Sequence, residues 1–146
     1  MVDVSDKDAT ARRAVAEGRV VLSPEAYAAA REKGSKKGDV RAVAELAGVM
    51  GAKKTAEFIP LCHPLPLTGA TVKVEFDDAH LALRVRAVVK TTAQTGVEME
   101  ALAAVSVACL TIYDMLKAID KTMRIEAIRL IEKTGGRSGD VRNDAG

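Results

Sequence analysis

The chain has 146 residues, 48% of them hydrophobic and 29% charged, a size and balance that predict one soluble domain burying roughly two-thirds of its unfolded surface and exclude disorder. Aromatic residues make up 3%, Trp is missing and the formal charge is +2. Base-stacking platforms and phosphate attraction are therefore weak, and nucleic acid is excluded as an expected partner. The longest nearly apolar stretch, Ala101 to Tyr113, carries Ser106 and Thr111 and stops at Asp114, short of the roughly 20 residues of a membrane span. Neither a span nor a signal peptide is expected, and the chain reads as cytoplasmic. Cys62 and Cys109 stand in no CxxC spacing and are expected to be reduced. With His63 and His80 they make a poor zinc set, because His80 follows Asp77-Asp78 in a predicted turn; no metal site is expected.

No linker or internal repeat divides the chain, so it is read as one domain over residues 1 to 146, with 1 to 8 and 134 to 146 as flexible ends. From Arg12 to Leu22 the small and apolar residues Ala14, Ala16, Gly18 and Val20 alternate with Arg13, Val15, Glu17 and Arg19, which favours a strand, with helix the alternative that the alanines allow. Ser23-Pro24-Glu25 starts a helix: Ser caps it, Pro fits the first turn and Glu suits the positive dipole end. Gly34 is expected to end that helix after Lys33. A second helix is predicted from Asp39 towards Glu57, with Val40, Val43, Ala44, Ala47 and Met50 at helical spacing. Phe58 to Leu67 holds three prolines, Pro60, Pro64 and Pro66, and must be a stiff extended loop. Thr71–Phe76 and Leu81–Val89 alternate on either side of a polar turn and predict a hairpin. Gly96 to Asp120 reads as a long apolar helix, and Met123 to Lys133 as a last strand before the Thr134-Gly135-Gly136 loop and a polar tail. Together these predict an α+β sheet with helices covering one face.

Candidate chemistry gathers at four places. Asp114 and Lys117 lie three residues apart and so share a face of the long helix; an exposed ion pair is the plain reading, proton transfer the functional one. Glu98 and Glu100 flank Met99 in the first turn of that helix, where carboxylates already favour the dipole. His63, between Cys62 and Pro64, is aimed by a rigid proline frame. Lys36-Lys37-Gly38-Asp39 precedes a helix N-terminus suited to phosphate, although no complete P-loop is present. The fourteen residues from Glu100 to Asp114 span about 21 Å at 1.5 Å per residue. One chain therefore does not bring both to one reacting atom, and a site shared between subunits is expected.

The strings MVDVSDK, KGDV, IPLCHPL, TGVEMEAL, LTIYDM and TGGRSGD together resemble the C-protein family of molybdenum-cofactor biosynthesis, the cyclic pyranopterin monophosphate synthases. The likeness runs over residues 1 to 140; IPLCHPL and TGVEMEAL, with their spacing to YDMLK, are its most specific parts. It implies a ferredoxin-like α+β fold, a homohexamer built as a trimer of dimers, and active sites at the dimer interfaces. It also implies conversion of a cyclic dihydroguanosine triphosphate into cyclic pyranopterin monophosphate and diphosphate. By the same likeness Asp114 is the catalytic acid/base and Lys117 its partner. Leu61, Cys62, His63, Glu98, Met99, Glu100, Lys37, Lys133 and Arg12 become substrate-binding residues. Arg12 or Arg13, and Lys36 or Lys37, stay open as doublets. No cofactor is implied, and whether Mg²⁺ accompanies the triphosphate stays open. The competing reading is a non-catalytic ferredoxin-like ligand-binding or regulatory module in which Asp114 and Lys117 form a structural pair.

Overall fold

The alternating segment near the N-terminus becomes β1 (Thr10–Val21), a central strand flanked by β3 (Ala82–Ala93) and β4 (Arg124–Thr134). With β2 (Leu67–Asp77) and β5 (Val141–Arg142) it forms one antiparallel sheet in the order β2-β3-β1-β4-β5. The computed structural model describes residues 1–32 and 36–143. The remaining elements are α1 (Pro24–Glu32), α2 (Val40–Lys53), α3 (Thr55–Phe58) and α4 (Glu98–Leu116). The architecture is the ferredoxin-like α+β arrangement the sequence predicts. The Gly34 helix stop lies outside the described residues.

One face of the sheet is covered by α4 and α2, which pack on each other and on the strands beneath. Val20, Leu83, Val85 and Val89 from the sheet are buried with Val105, Ala108, Ile112 and Leu116 from α4. A Cβ at Gly18 would stand 2.7 Å from Val105 Cγ1 and 2.9 Å from Ile128 Cγ1, so the glycine lets α4 lie close on β1. By length and composition α4 also has the character of a membrane span, but 56% of its most apolar window is buried inside the protein, the placement of a core helix. The opposite face carries two rungs of charge across four strands, Lys73–Arg86–Glu17–Arg129 and Glu75–Arg84–Arg19–Glu126. All of these but Glu126 line a cleft of about 460 Å³ that contains none of the motif residues.

Two elements depart from expectation. The second helix breaks at Lys54, whose N–H bonds back to Met50 and Gly51 carbonyls, before the single turn of α3. Its packed face is Val40, Ala44, Gly48, Gly51 and Ala52, while the expected stripe members Val43 and Met50 are 39% and 48% exposed. The reason is the closeness of α2 to α4: a Cβ at Gly48 would meet the Ala104 carbonyl at 3.0 Å, and one at Gly51 would meet Val107 Cγ2 at 2.8 Å. Gly51→Ala is expected to cost about 1–3 kcal/mol through overpacking, read as a lowered thermal midpoint. The chain beyond Gly136 turns back and pairs as β5, Arg142 opposite Glu132 and Val141 opposite Lys133, an element that the sequence pattern does not announce.

Local bonds tie the helix ends to this frame. Ser23 Oγ accepts from Ala26 N–H at 3.1 Å, as the capping pattern predicts. The Ser23 N–H donates to Asp120 Oδ2 at 2.8 Å, joining the start of α1 to the end of the α4 segment. Thr122, through its hydroxyl and N–H, and Ser23 together hold the Asp120 carboxyl down to about 2. A depressed carboxylate stabilises the fold above the ordinary carboxylate range, and that contribution is lost as pH falls through the lowered value.

Candidate active site

The proline-rich segment crosses the start of α4, and the two together enclose a cleft of about 280 Å³. Leu61, Cys62 and His63 line it from the loop, Glu98, Met99 and Glu100 from the first turn of the helix. A short turn, Cys62 N–H to the Ile59 carbonyl at 3.1 Å, sets the loop's course. Glu100 is 3% exposed, and its Oε1 has no hydrogen-bond partner among the described residues. Its Oε2 accepts from the Cys62 thiol at 3.7 Å. Burial raises the Glu100 carboxyl above its ordinary value, and the nearby Glu98 charge acts the same way. Burial, then the Glu100 charge and hydrogen bond, push the Cys62 thiol up as well. The thiol is the donor in the hydrogen bond to Glu100.

Lys133, on β4, reaches Glu98 Oε2 at 3.9 Å. The arginine doublet divides: Arg13 pairs with Glu132 on β4, while Arg12 Nε donates to the Ala93 carbonyl at 3.1 Å. The glycine-rich loop lies against Arg12, since a Cβ at Gly136 would stand 3.0 Å from its Cζ. Gly136 has a φ of +84°, a region that favours glycine. Asp140 Oδ1 accepts from the Gly135 N–H at 3.0 Å and holds this turn together.

A second cluster forms at the far end of α4. The Asp114 carboxylate lies between two lysines, Lys37 Nζ at 2.6 Å from Oδ2 and Lys117 Nζ at 3.1 Å from Oδ1. Hydrogen bonds from Lys37, then from Lys117, hold the Asp114 carboxyl below its ordinary value. The antiparallel packing of α2 on α4 brings the KGD turn here, and the Asp39 side chain caps α2 by accepting from the Ala42 N–H. The lysine doublet thus divides as well: Lys37 is the member bonded to Asp114. The Asp114–Lys117 pair is exposed, as its plain reading expects. Asp114 and Lys117 side chains are 51% and 54% exposed, because they lie on the outward face of the helix end while Met115 and Leu116 turn inward.

The expected residues therefore fall into two groups separated along α4 by about 21 Å. Near its N-terminus stand Leu61, Cys62, His63, Glu98, Met99 and Glu100, with Lys133 reaching Glu98; near its C-terminus stand Lys37, Asp114 and Lys117. The sequence reading missed Ile59, Leu65, Thr95 and Gly96, which complete the first cleft. It also missed Gln94 and the stretch Met1 to Ser5, which flank His63 in an adjoining recess of about 430 Å³. Their signal was position alone, next to motif residues. Among the described residues no group of three or more His, Cys, Asp or Glu converges as a metal cage.

Comparison with known proteins gives the same grouping a family. Residues 1–136 match the MoaC family. The chain is 59% identical over 144 residues to the cyclic pyranopterin monophosphate synthase of Methylobacterium sp. (strain 4-46), an alignment covering 99% of this chain and 90% of that protein. It is 61% identical over 140 residues to the protein of that name from Chloroflexus aurantiacus (strain J-10-fl), covering 96% of this chain and 86% of that one. A match across nearly the whole chain means that this protein belongs to the MoaC family.

Proposed function

We propose that this protein is a cyclic pyranopterin monophosphate synthase, a lyase of molybdenum-cofactor biosynthesis. It converts a cyclic dihydroguanosine triphosphate into cyclic pyranopterin monophosphate and diphosphate in the cytoplasm. The observation that carries this reading is the roughly 60% identity to relatives of that name over nearly the full chain. The chemistry fits the two clusters. A sugar hydroxyl must attack the innermost phosphorus as diphosphate leaves, and rebuilding the purine into a pterin needs ring opening and several proton transfers. Lys37, Lys117, Lys133 and Arg12 are suited to offset the about four negative charges of a triphosphate. Glu98 and Glu100 are suited to accept from the N–H edge of a guanine-type base. Any Mg²⁺ enters with the triphosphate, held by substrate oxygens and water.

The active site is built from two chains. On one face of α4, Met99, Ser106, Leu110 and Lys117 follow helical spacing, and Met99 and Leu110 are 39% and 60% exposed. Alongside them α2 exposes Val43, Leu46 and Met50, with Leu46 at 62%. This apolar stripe joins the two clusters and suits a second copy packed antiparallel across it. Such a two-fold contact sets the Cys62–Glu100 cleft of each chain opposite the Lys37–Asp114–Lys117 cluster of its partner. Three such dimers complete a hexamer.

Incubation with cyclic dihydroguanosine triphosphate is expected to release diphosphate stoichiometrically with product, and sedimentation at micromolar concentration to show a hexamer. Leu46→Lys with Leu110→Lys should split the assembly and remove turnover together. A stable monomer with full activity would overturn the two-chain site, and an assembled protein that releases no diphosphate would overturn the synthase reading.

A further inference from the structure

Glu98 sits at the first position of α4, where a carboxylate would ordinarily extend into solvent, yet its side chain folds back over the preceding turn and is 35% exposed. The space it occupies exists because residue 96 has no side chain. A Cβ at Gly96 would fall inside the contact radius of Glu98 Oε1 and stand 2.9 Å from Cδ and 3.1 Å from Oε2. Gly96 shows no positive φ, so left-handed backbone does not explain the glycine. The folded-back carboxylate meets Lys133 at 3.9 Å on one side, while Glu100 carries its unpartnered oxygen in the same cleft.

We propose that Gly96 is a positioning residue that sets specificity: by leaving room for the Glu98 carboxylate, it fixes that group at the cleft rim beside Lys133, where it selects ligands bearing an amino-pyrimidinone N–H edge. The inference rests on the reading of Glu98 as a base-binding carboxylate. The two carboxylates differ in surroundings. Glu98 has a cationic neighbour and stands half in solvent, whereas Glu100 is buried beside a thiol. Glu98 is thus the member whose carboxylate has a cation beside it at the cleft rim. A carboxylate displaced by even an ångström no longer meets the exocyclic amine in line, and selection between guanine and hypoxanthine edges fades.

The test uses the full-length assembled protein and two non-reacting probes, GTP and ITP, which differ only in the exocyclic amine. Wild type is expected to bind GTP about tenfold or more tightly than ITP. Gly96→Ala should fold and assemble as wild type, because Glu98 is a flexible side chain that can swing away, but should lose most of that preference. Glu98→Gln should lose it too, and adding Glu98→Gln to the Gly96→Ala variant should change little further, since the carboxylate has already left its place. With the reacting substrate, Gly96→Ala should raise KM more than it lowers kcat. Equal binding of both probes by wild type, a preference retained by Gly96→Ala, costs that multiply in the double variant, or failure of Gly96→Ala to fold would each overturn the proposal. Failure of wild type to release diphosphate is a separate result that bears on the synthase reading, because the probe preference is measured without turnover.

Discussion

Asp114→Asn and Lys117→Ala, made singly, are each expected to reduce kcat by about 10²–10⁴-fold while the thermal midpoint and sedimentation stay those of wild type. The asymmetry follows from exposure. Both side chains are about half exposed at the end of α4, where an ion pair adds little to stability. Chemistry at that carboxylate has no substitute. Lys37 and Lys117 hold the Asp114 carboxyl below its ordinary value from both sides, which suits it to take a proton while an adjacent ammonium is suited to give one. Lys117→Ala should weaken substrate binding more than Asp114→Asn does, since it also removes a phosphate partner. Because the Asp114 carboxyl is depressed, whatever the pair adds to stability is present above the ordinary carboxylate range and is lost as pH falls through the lowered value. If Asp114→Asn loses stability yet keeps its turnover per folded molecule, the pair is structural and the non-catalytic reading wins.

Two inactive parents are expected to restore activity when reassembled together. Glu100 and Asp114 lie about 21 Å apart on one helix at 1.5 Å per residue, so the proposed single site for both requires that they come from different chains. Glu100→Ala and Asp114→Asn chains, unfolded, mixed in equal amounts and refolded, should regain up to about a quarter of wild-type activity, because a random dimer interface receives both intact groups at one in four sites. Each parent refolded alone should stay inactive. Subunit exchange is first shown with tagged chains. If exchange is demonstrated and mixed assemblies stay as inactive as their parents, both groups do not serve one shared site, and Glu100 reverts to a first-turn carboxylate that favours the helix dipole.

Several features of the cleft were legible in the residue pattern for local reasons. Prolines at 60, 64 and 66 leave only an extended path, so the loop carrying Cys62 and His63 could be anticipated without any partner. Ser23-Pro24-Glu25 starts a helix by contacts within one turn, and Asp39 likewise caps α2. The separation of Glu100 from Asp114 needed only the rise of a helix. Other features escaped because they depend on residues distant in sequence. Lys37 meets Asp114 across 77 residues, and nothing near Lys37 shows it. Lys133 and Glu98 meet only because β4 lies beside the start of α4.

The sequence by itself determined the element order, the antiparallel hairpin, the long apolar helix and the family, because alternation, helical spacing, capping residues and motif strings are written in neighbouring positions. Which face each element turns inward was decided by tertiary structure. Of the α2 stripe expected at Val40, Val43, Ala44, Ala47 and Met50, Val40 and Ala44 are buried, while Gly48, Gly51 and Ala52 take the places of the rest, since close approach to α4 selects for small volume over hydrophobicity at the contact. The exposure of Asp114, the burial of Glu100 at 3% and the pairing of β5 against β4 belong to the same class. Each depends on where a second segment stops. Burial and electrostatic environment are properties of the space between elements, and that space exists only once the chain has packed.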